Sequence, residues 1–293
     1  MSKTILFGGS GFFGPVILSK DENIISVGRT KPPIECKNKH IFIKDLNEIN
    51  KLDDIDFDKV IFLIGSSNHH EINQYENMGL DFNVYPLHQA LSYFSKRKIK
   101  KFICFTTILL YDQNKFVLPV DENQEINPYI NKYVFSKFLS EQIVNFFSKE
   151  VPSIIIRLSN IYGYTRLKRP DLIPTIMQDI FEKNQVEIWS KEPLRDFIFT
   201  EDAADAVLSI LKTDFVGTLN LGSGSMNSLE NICNIIENLS GKKIISKNYS
   251  VSGPMKFNTN IKKISELTGW KPKFDINQGL QRTYDIMKKY YNK

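Results

Sequence analysis

The chain has 293 residues, of which 42% are hydrophobic and 24% charged, with 15 Gly and 12 Pro. That composition excludes a disordered or fibrous protein and, at roughly 150 residues per domain, supplies one large domain or two interlocked smaller ones. Lys and Arg total 38 against 33 acidic residues, and the resulting charge of +5 is dispersed along the chain, which argues against a dedicated nucleic-acid binder.

No apolar stretch nears the ~20 residues of a membrane helix, and the first one breaks at Gly8 without a leader-like continuation. A cytoplasmic protein is expected. Cys36, Cys104 and Cys233 form an odd set without CxxC spacing, so free thiols are expected.

In chain order, short and nearly continuous apolar runs predict strands at Thr4 to Phe7, Ile24 to Val27, Val60 to Ile64, Lys101 to Phe105 and Ser153 to Arg157. Such runs suit strands buried on both faces, as in a parallel sheet. Between them, apolar residues at helical spacing predict helices over Asn83 to Ser95 and Lys132 to Phe147. Strand and helix in alternation specify a doubly wound α/β sheet of Rossmann type. The second half is less regular. Tyr164 to Leu194 is rich in Pro and charge, followed by a strand at Asp196 to Phe199, a helix at Glu201 to Leu211, a strand at Thr218 to Leu221 and a helix at Leu229 to Leu239. We expect a dinucleotide-binding domain over 1–162, with a returning segment at about 196–222. The smaller interlocked substrate domain then comprises 163–195 and 223–293.

The first turn is FGGSGFFG, with Gly8, Gly11 and Gly14 three residues apart, straight after the first strand. Glycines there permit a tight turn, close approach of backbone N–H groups to a pyrophosphate, and close packing of helix on strand. A purely structural strand-to-helix turn would carry the same residues. At the end of the second strand, where an NAD-binding protein usually offers an acid to the ribose hydroxyls, the chain reads Val27-Gly28-Arg29. An Arg29 guanidinium can pair with a 2′-phosphate, so NADP is expected over NAD, unless Arg29 is simply a solvated loop residue. Asp45 could accept from the adenine amino group or could cap a helix.

Tyr133 and Lys137 stand at i and i+4, on one face of a predicted helix. A neighbouring ammonium favours the phenolate and makes such a hydroxyl a usable proton donor or acceptor. Asn68-His69-His70-Glu71 invites a metal reading, but adjacent histidines lack the convergent further ligands zinc needs, and no metal is expected. Ser66 and Asn68 follow the third strand and are candidate substrate contacts.

Six segments in order, FGGSGFFG, FTTILLYD, YVFSK, IIRLSNIYG, RDFIFTEDAADAV and TLNLGSG, resemble the extended short-chain dehydrogenase/reductase family, in its nucleotide-sugar epimerase and dehydratase branch. The resemblance runs from Thr4 to Gly269-Trp270-Lys271-Pro272. It implies that Thr107 hydrogen-bonds the substrate oxygen, that Tyr133 is the general acid/base, and that Lys137 holds the nicotinamide ribose. It implies cofactor contacts from Gly8, Ser10, Gly11, Phe12, Phe13, Gly14, Arg29, Asp45, Leu46, Ile64, Gly65 and Ser66. Asn160 and Arg195 match positions that meet the sugar nucleotide's diphosphate, although an ion pair of Arg195 with Asp196 is the alternative. Asn83 matches a helix-starting Asn that orders the sheet and is counted as structural.

Two departures narrow the chemistry. Dehydratases of this branch carry Asp-Glu after the Thr, where this chain has Ile108-Leu109, so elimination is not expected. The Cys of relatives that epimerise carbons 3 and 5 would fall on Leu109, so that activity is not expected either. The first helix looks about one turn short, with Pro15 where Ser or Ala is usual.

Three functions remain. The leading expectation is an NADPH-dependent 4-ketoreductase acting on a nucleotide-activated 4-keto-6-deoxyhexose, in deoxysugar synthesis for O-antigen or capsule polysaccharide. It resembles the synthases of CDP-abequose, CDP-paratose and dTDP-fucose. The alternative is an NAD-dependent nucleotide-sugar 4-epimerase, and the third is a non-catalytic NADP-sensing protein. The resemblance also implies a homodimer paired through the helices at Asn83 to Ser95 and Lys132 to Phe147, with no nucleic-acid or membrane partner.

Overall fold

A computed structural model of the protein describes residues 3–33, 35–75, 77–251 and 253–291. Contacts divide the chain into two compact units, one of Met1–Tyr111, Ile126–Leu158 and Ala204–Leu219, the other of Asp112–Glu125, Ser159–Ala203 and Asn220–Lys293. Residues 112–125, 159–162, 196–203 and 220–222, which the strand pattern assigns to the first domain, therefore have their contacts in the second unit. The reason for 112–125 is visible in its bonds: the Val120 carbonyl accepts from Asn220 Nδ2 and Glu122 Oε1 accepts from the Asn220 N–H.

In the first unit the strands are β1 (Thr4–Phe7), β2 (Ile25–Gly28), β3 (His40–Phe42), β4 (Lys59–Phe62), β5 (Lys101–Thr107) and β6 (Ser153–Leu158). Beside them run α1 (Gly14–Lys20), α2 (His69–Gln74), α3 (Tyr85–Phe94) and α4 (Lys132–Phe146). Together with a strand at Gly217–Leu221 they form a seven-stranded sheet in which, from one edge, that strand is followed by β6, β5, β4, β1, β2 and β3. The pairs from β6 across to β3 are all parallel. Ile5, Phe7, Val60, Phe62, Phe102 and Cys104 face one side and pack with Leu87, Ala90, Leu91 and Phe94 of α3. Leu6 and Ile103, of opposite parity, are equally buried. Burial on both faces explains why these strands read as continuous apolar runs.

Asn83 does not begin a regular helix. It lies in a π-helical turn, Leu80–Val84, and α3 starts after it with Pro86 in its first turn, where a missing N–H is tolerated. As the spacing of Gly14 and Gly28 suggests, α1 is short, at seven residues.

The second unit holds β7 (Asn160–Tyr162), β8 (Val186–Ile188), β9 (Leu194–Phe199), β11 (Met226–Ser228) and β12 (Ile244–Ser246), β10 being the shared strand Gly217–Leu221. Its helices are α5 (Leu172–Glu182), α7 (Leu229–Ser240), α8 (Lys262–Thr268) and α9 (Ile276–Tyr291), α6 being Thr200–Ile210. The stretch expected to be irregular thus contains α5. Ile173, Ile176, Met177 and Ile180 sit at helical spacing and enter the core of this unit, but Pro174 obscures the period; in the first turn it costs no intrahelical bond.

Candidate active site

The strand order reverses between β1 and β4, and in open α/β sheets the crevice beyond the carboxyl ends at such a point is where ligands bind. The glycine turn follows β1, Gly65 and Ser66 follow β4, and Thr107 ends β5, so the fold brings these to one edge. Gly8 has φ +86°, and a Cβ built on Gly14 would lie 2.4 Å from the Gly8 carbonyl oxygen. That oxygen accepts the Gly11 N–H at 3.0 Å. The turn is therefore closed so tightly that only glycine fits at these positions, leaving a cradle suited to a pyrophosphate.

Asn83 is the hub beneath this edge. Its Oδ1 accepts the Ser66 N–H at 2.8 Å and the Lys137 ammonium at 3.2 Å, while its Nδ2 donates to Ser136 Oγ at 3.0 Å and its carbonyl accepts from Ser140 Oγ at 3.0 Å. Gly65 is needed beside it, since a Cβ there would lie 3.0 Å from Asn83 Oδ1 and 3.4 Å from Lys137 Nζ. Counting Asn83 as structural alone understates it: its side chain fixes the lysine. Burial pushes the Lys137 ammonium down from 10.5 to about 8, with no carboxylate to offset the cost. Lys137 Nζ is 5.9 Å from the Tyr133 ring centre. A half-buried ammonium that donates to the Asn83 amide oxygen suits the oxygens of a ribose.

Tyr133 is 4% exposed. Its ring packs with Ile72, Leu110 and Val134; Leu110 belongs to the 3₁₀ turn Ile108–Leu110, which Thr107 caps by accepting the Leu109 N–H at 3.2 Å. A buried network braces the same helix further along. Glu141 accepts from Thr106 Oγ1 at 2.8 Å and, at two points, from Arg157 at 2.9 and 2.8 Å. Arg157 also lies over the Tyr111 ring, 4.9 Å from its centre. Tyr133, Lys137 and Glu141 thus recur every fourth residue on α4, two toward the site and one toward β5 and β6. Glu141 is absent from the expected site residues, because its partners Thr106 and Arg157 lie on β5 and β6 and no local spacing announces them.

The remaining expected cofactor residues divide by environment. Phe12 and Phe13 are buried, Phe13 edge-on to Phe105 at 5.8 Å, so their rings serve packing. Leu46 and Ile64 likewise join the core cluster. Ser10, Gly11 and Ser66 are half-buried and Arg29 is exposed at the end of β2. Asp45 caps the turn Leu46–Leu52 by accepting the Asn47 N–H at 2.8 Å through Oδ1. Asn68 is engaged as the cap of α2, accepting from the Glu71 N–H at 3.3 Å.

In the second unit, Asn160 is exposed and donates to the Asp196 carbonyl at 2.8 Å. An ion pair of Arg195 with Asp196 does not form. The Asp196 carboxylate is taken by Ser223, Gly224 and Thr259, whereas Arg195 Nη1 is buried without a hydrogen-bond partner. Burial alone lowers the Arg195 guanidinium to about 10.

Among the described residues no group of three or more His, Cys, Asp or Glu could hold a metal, and no helix is long and apolar enough to cross a membrane. Cys36, Cys104 and Cys233 are free thiols.

Fold and edge residues together define a doubly wound, Rossmann-type α/β protein with a tyrosine–lysine helix beside its glycine turn. The sequence pattern of the NAD dependent epimerase/dehydratase family matches residues 4–222, and the protein belongs to that family of enzymes. A relative in Methanocaldococcus jannaschii, described as "Putative UDP-glucose 4-epimerase", is 29% identical over 97% of this chain and 98% of its own. CDP-abequose synthase of Salmonella muenchen is 26% identical over 53% of this chain and 55% of its own. UDP-glucose 4-epimerase of Thermotoga maritima, solved with UDP-glucose, superposes with a TM-score of 0.87 at 20% identity, covering 98% of this chain and 99% of that one. UDP-glucuronic acid 4-epimerase of Bacillus cereus, solved with its sugar nucleotide and NAD, gives 0.84 at 21% identity, covering 99% and 100%. At these identities the two structures bear on the fold.

Proposed function

We propose that this enzyme inverts carbon 4 of a nucleotide-linked hexose. The observation that carries the reading is the grip of Asn83 on Lys137 beside Tyr133, at the sheet edge that holds the glycine turn. The residues present fit a dinucleotide: Gly8, Gly11 and Gly14 would hold its pyrophosphate and Lys137 its nicotinamide ribose. When bound, such a cofactor supplies hydride exchange at carbon 4. Tyr133 would take the proton of the carbon-4 hydroxyl on its phenolate oxygen and return it to the same substrate oxygen. Thr107 would orient that oxygen, and Arg195 and Asn160 would take the diphosphate. Similarity to the methanogen protein over nearly the whole chain supports epimerisation, and the absence of acidic residues at Ile108 and Leu109 speaks against elimination.

One observation favours the second reading, an NADPH-dependent 4-ketoreductase acting on 4-keto-6-deoxyhexose nucleotides. Gly28 occupies the end of β2 where an acid would bind the ribose, and Arg29 beside it is exposed. One experiment separates the two. The enzyme is incubated with NAD and either UDP-glucose or UDP-glucuronic acid. In parallel it meets NADPH and 4-keto-6-deoxyhexoses carrying dTDP, CDP, GDP or UDP, and products are read by NMR. Epimerisation gives the carbon-4 inverted sugar without net cofactor consumption; reduction consumes one NADPH per sugar. Tyr133→Phe should cut either turnover by about 100-fold to 10,000-fold while leaving dinucleotide binding nearly intact. Unchanged turnover in that variant would refute the assignment.

A homodimer is also proposed. Phe82, Tyr85, Phe135 and Phe146, on or beside α3 and α4, are 46%, 59%, 39% and 78% exposed, an apolar set that a second copy would cover. Light scattering at micromolar concentration tests this, a monomer being the adverse result.

A further inference from the structure

The short helix α2 touches Tyr133 at two points, and the two side chains that do so stand one turn apart on one face. His69 lays its imidazole over the Tyr133 ring, with centroids 3.9 Å apart and planes inclined by 16°. Asn73 accepts the Tyr133 backbone N–H at 3.0 Å. Between them Ile72 is fully buried in the same apolar cluster as the Tyr133 ring. The neighbouring His70 faces away and pairs with Gln74 at 3.0 Å. Only the first of the paired histidines is turned toward the tyrosine.

The Asn73 bond accounts for the start of α4. Tyr133 is the second residue of that helix, its N–H has no intrahelical acceptor, and the capping side chain of Asn131 takes the Val134 N–H at 2.9 Å instead. The imidazole does something different, because it constrains the side chain. A tyrosine hydroxyl is carried some 6 Å out from the backbone, so a modest rotation about χ1 displaces it by more than a hydrogen bond tolerates, whereas an aromatic plate on one face of the ring blocks that rotation.

We propose that His69 is a positioning residue that holds the Tyr133 phenol in its proton-transfer orientation through face-to-face stacking. Its ring plane is what matters, not an acid–base role of its nitrogens. The stacking claim stands on its own; its catalytic consequence rests on the reading of Tyr133 given under Proposed function.

The test has a part that needs no substrate. In protein carrying labelled tyrosine, the Tyr133 ring resonances are identified by their loss in Tyr133→Phe, and ring-flip rates are compared in wild type, His69→Ala and His69→Phe. Slow flips in wild type and His69→Phe, with flips at least tenfold faster in His69→Ala, are expected. Equal rates in wild type and His69→Ala would overturn the stacking role. The second part uses whichever sugar nucleotide of the panel is turned over. His69→Ala should lower kcat about tenfold or more with the Kd for NAD unchanged, and His69→Phe should restore most of it. A His69→Phe enzyme as slow as His69→Ala would overturn the proposal and assign the effect to imidazole chemistry. If no sugar nucleotide is turned over, or if Tyr133→Phe is as active as wild type, the functional reading fails, and the flip rates still decide whether His69 holds the ring.

Discussion

Asn83 and Lys137, 54 residues apart in sequence, meet at 3.2 Å, and the same amide oxygen also takes the Ser66 N–H. One side chain thus ties the loop after β4 to the helix that bears Tyr133. Asn83→Ala would leave the Ser66 N–H, the Ser136 hydroxyl and the ammonium without these partners. We expect a loss of about 1–3 kcal/mol of stability, from polar groups that lose their partners, the Ser66 N–H and the Lys137 ammonium as donors and Ser136 Oγ as an acceptor. Weaker dinucleotide binding should accompany it. Thermal denaturation and a fluorescence titration with NAD and NADP check the two effects, and a variant with wild-type affinity would remove Asn83 from the site.

Arg157 and Glu141 form a two-point ion pair with side chains only 8% and 4% exposed, and the pair lifts the Arg157 guanidinium above its ordinary value despite burial. Removing one partner strands a buried charge, so Glu141→Ala should cost about 3–5 kcal/mol. Replacing both, as Glu141→Met with Arg157→Met, should recover most of that loss, because the desolvation penalty of two ions disappears together. Urea unfolding of the three variants measures this; a double variant as unstable as the single one would show that the network contributes more than charge balance.

Much of this was legible in the sequence, and the exceptions have physical causes. β1 matches its expected limits residue for residue, and the expected helix at Lys132 agrees with α4 to within one residue, because a parallel sheet demands apolar runs and an amphipathic helix demands a period. α5 escaped because Pro174 in its first turn looks like a breaker. Asp45, whose two roles the sequence could not separate, makes the capping bond to Asn47. The contacts of His69 and Glu141 escaped for a deeper reason. A stack across 64 residues or a salt bridge across 16 depends on which helix lies against which, and no local pattern encodes that.

The depressed Lys137 ammonium gives a pH prediction with a definite sign. In the unfolded chain a lysine titrates near ~10.4, and in the folded protein Lys137 does so at about 8. Below pH 8 the group is charged in both states and the folded state bears the whole desolvation penalty. Between about 8 and 10.4 the folded state sheds its proton first, so this group's destabilisation is progressively relieved as pH rises. Lys137→Met should therefore raise the Tm of the cofactor-free protein at pH 7, by a margin that shrinks toward pH 10. The same titration removes the positive charge beside Tyr133, so kcat/KM of the wild type should fall along an alkaline limb near pH 8. A Tm difference that does not change with pH would contradict both expectations.

Arg195 offers the complementary test in the second unit. Its Nη1 is buried with no acceptor, and burial alone brings the guanidinium down to about 10. A protein gains nothing in stability from a cation kept this way, so the site is better explained by an anionic ligand than by the fold. Arg195→Met should leave the Tm unchanged or higher, since a guanidinium with a buried unpartnered Nη1 is replaced by an unbranched apolar side chain. It should also weaken binding of a nucleotide diphosphate such as UDP by the ~1.5–3 kcal/mol of a charge-assisted hydrogen bond, or roughly 10-fold to 150-fold in Kd. Calorimetric titration with UDP, alongside a melting curve, measures both. A large drop in Tm with unaltered UDP affinity would make Arg195 a structural residue and remove the diphosphate contact from the proposed site.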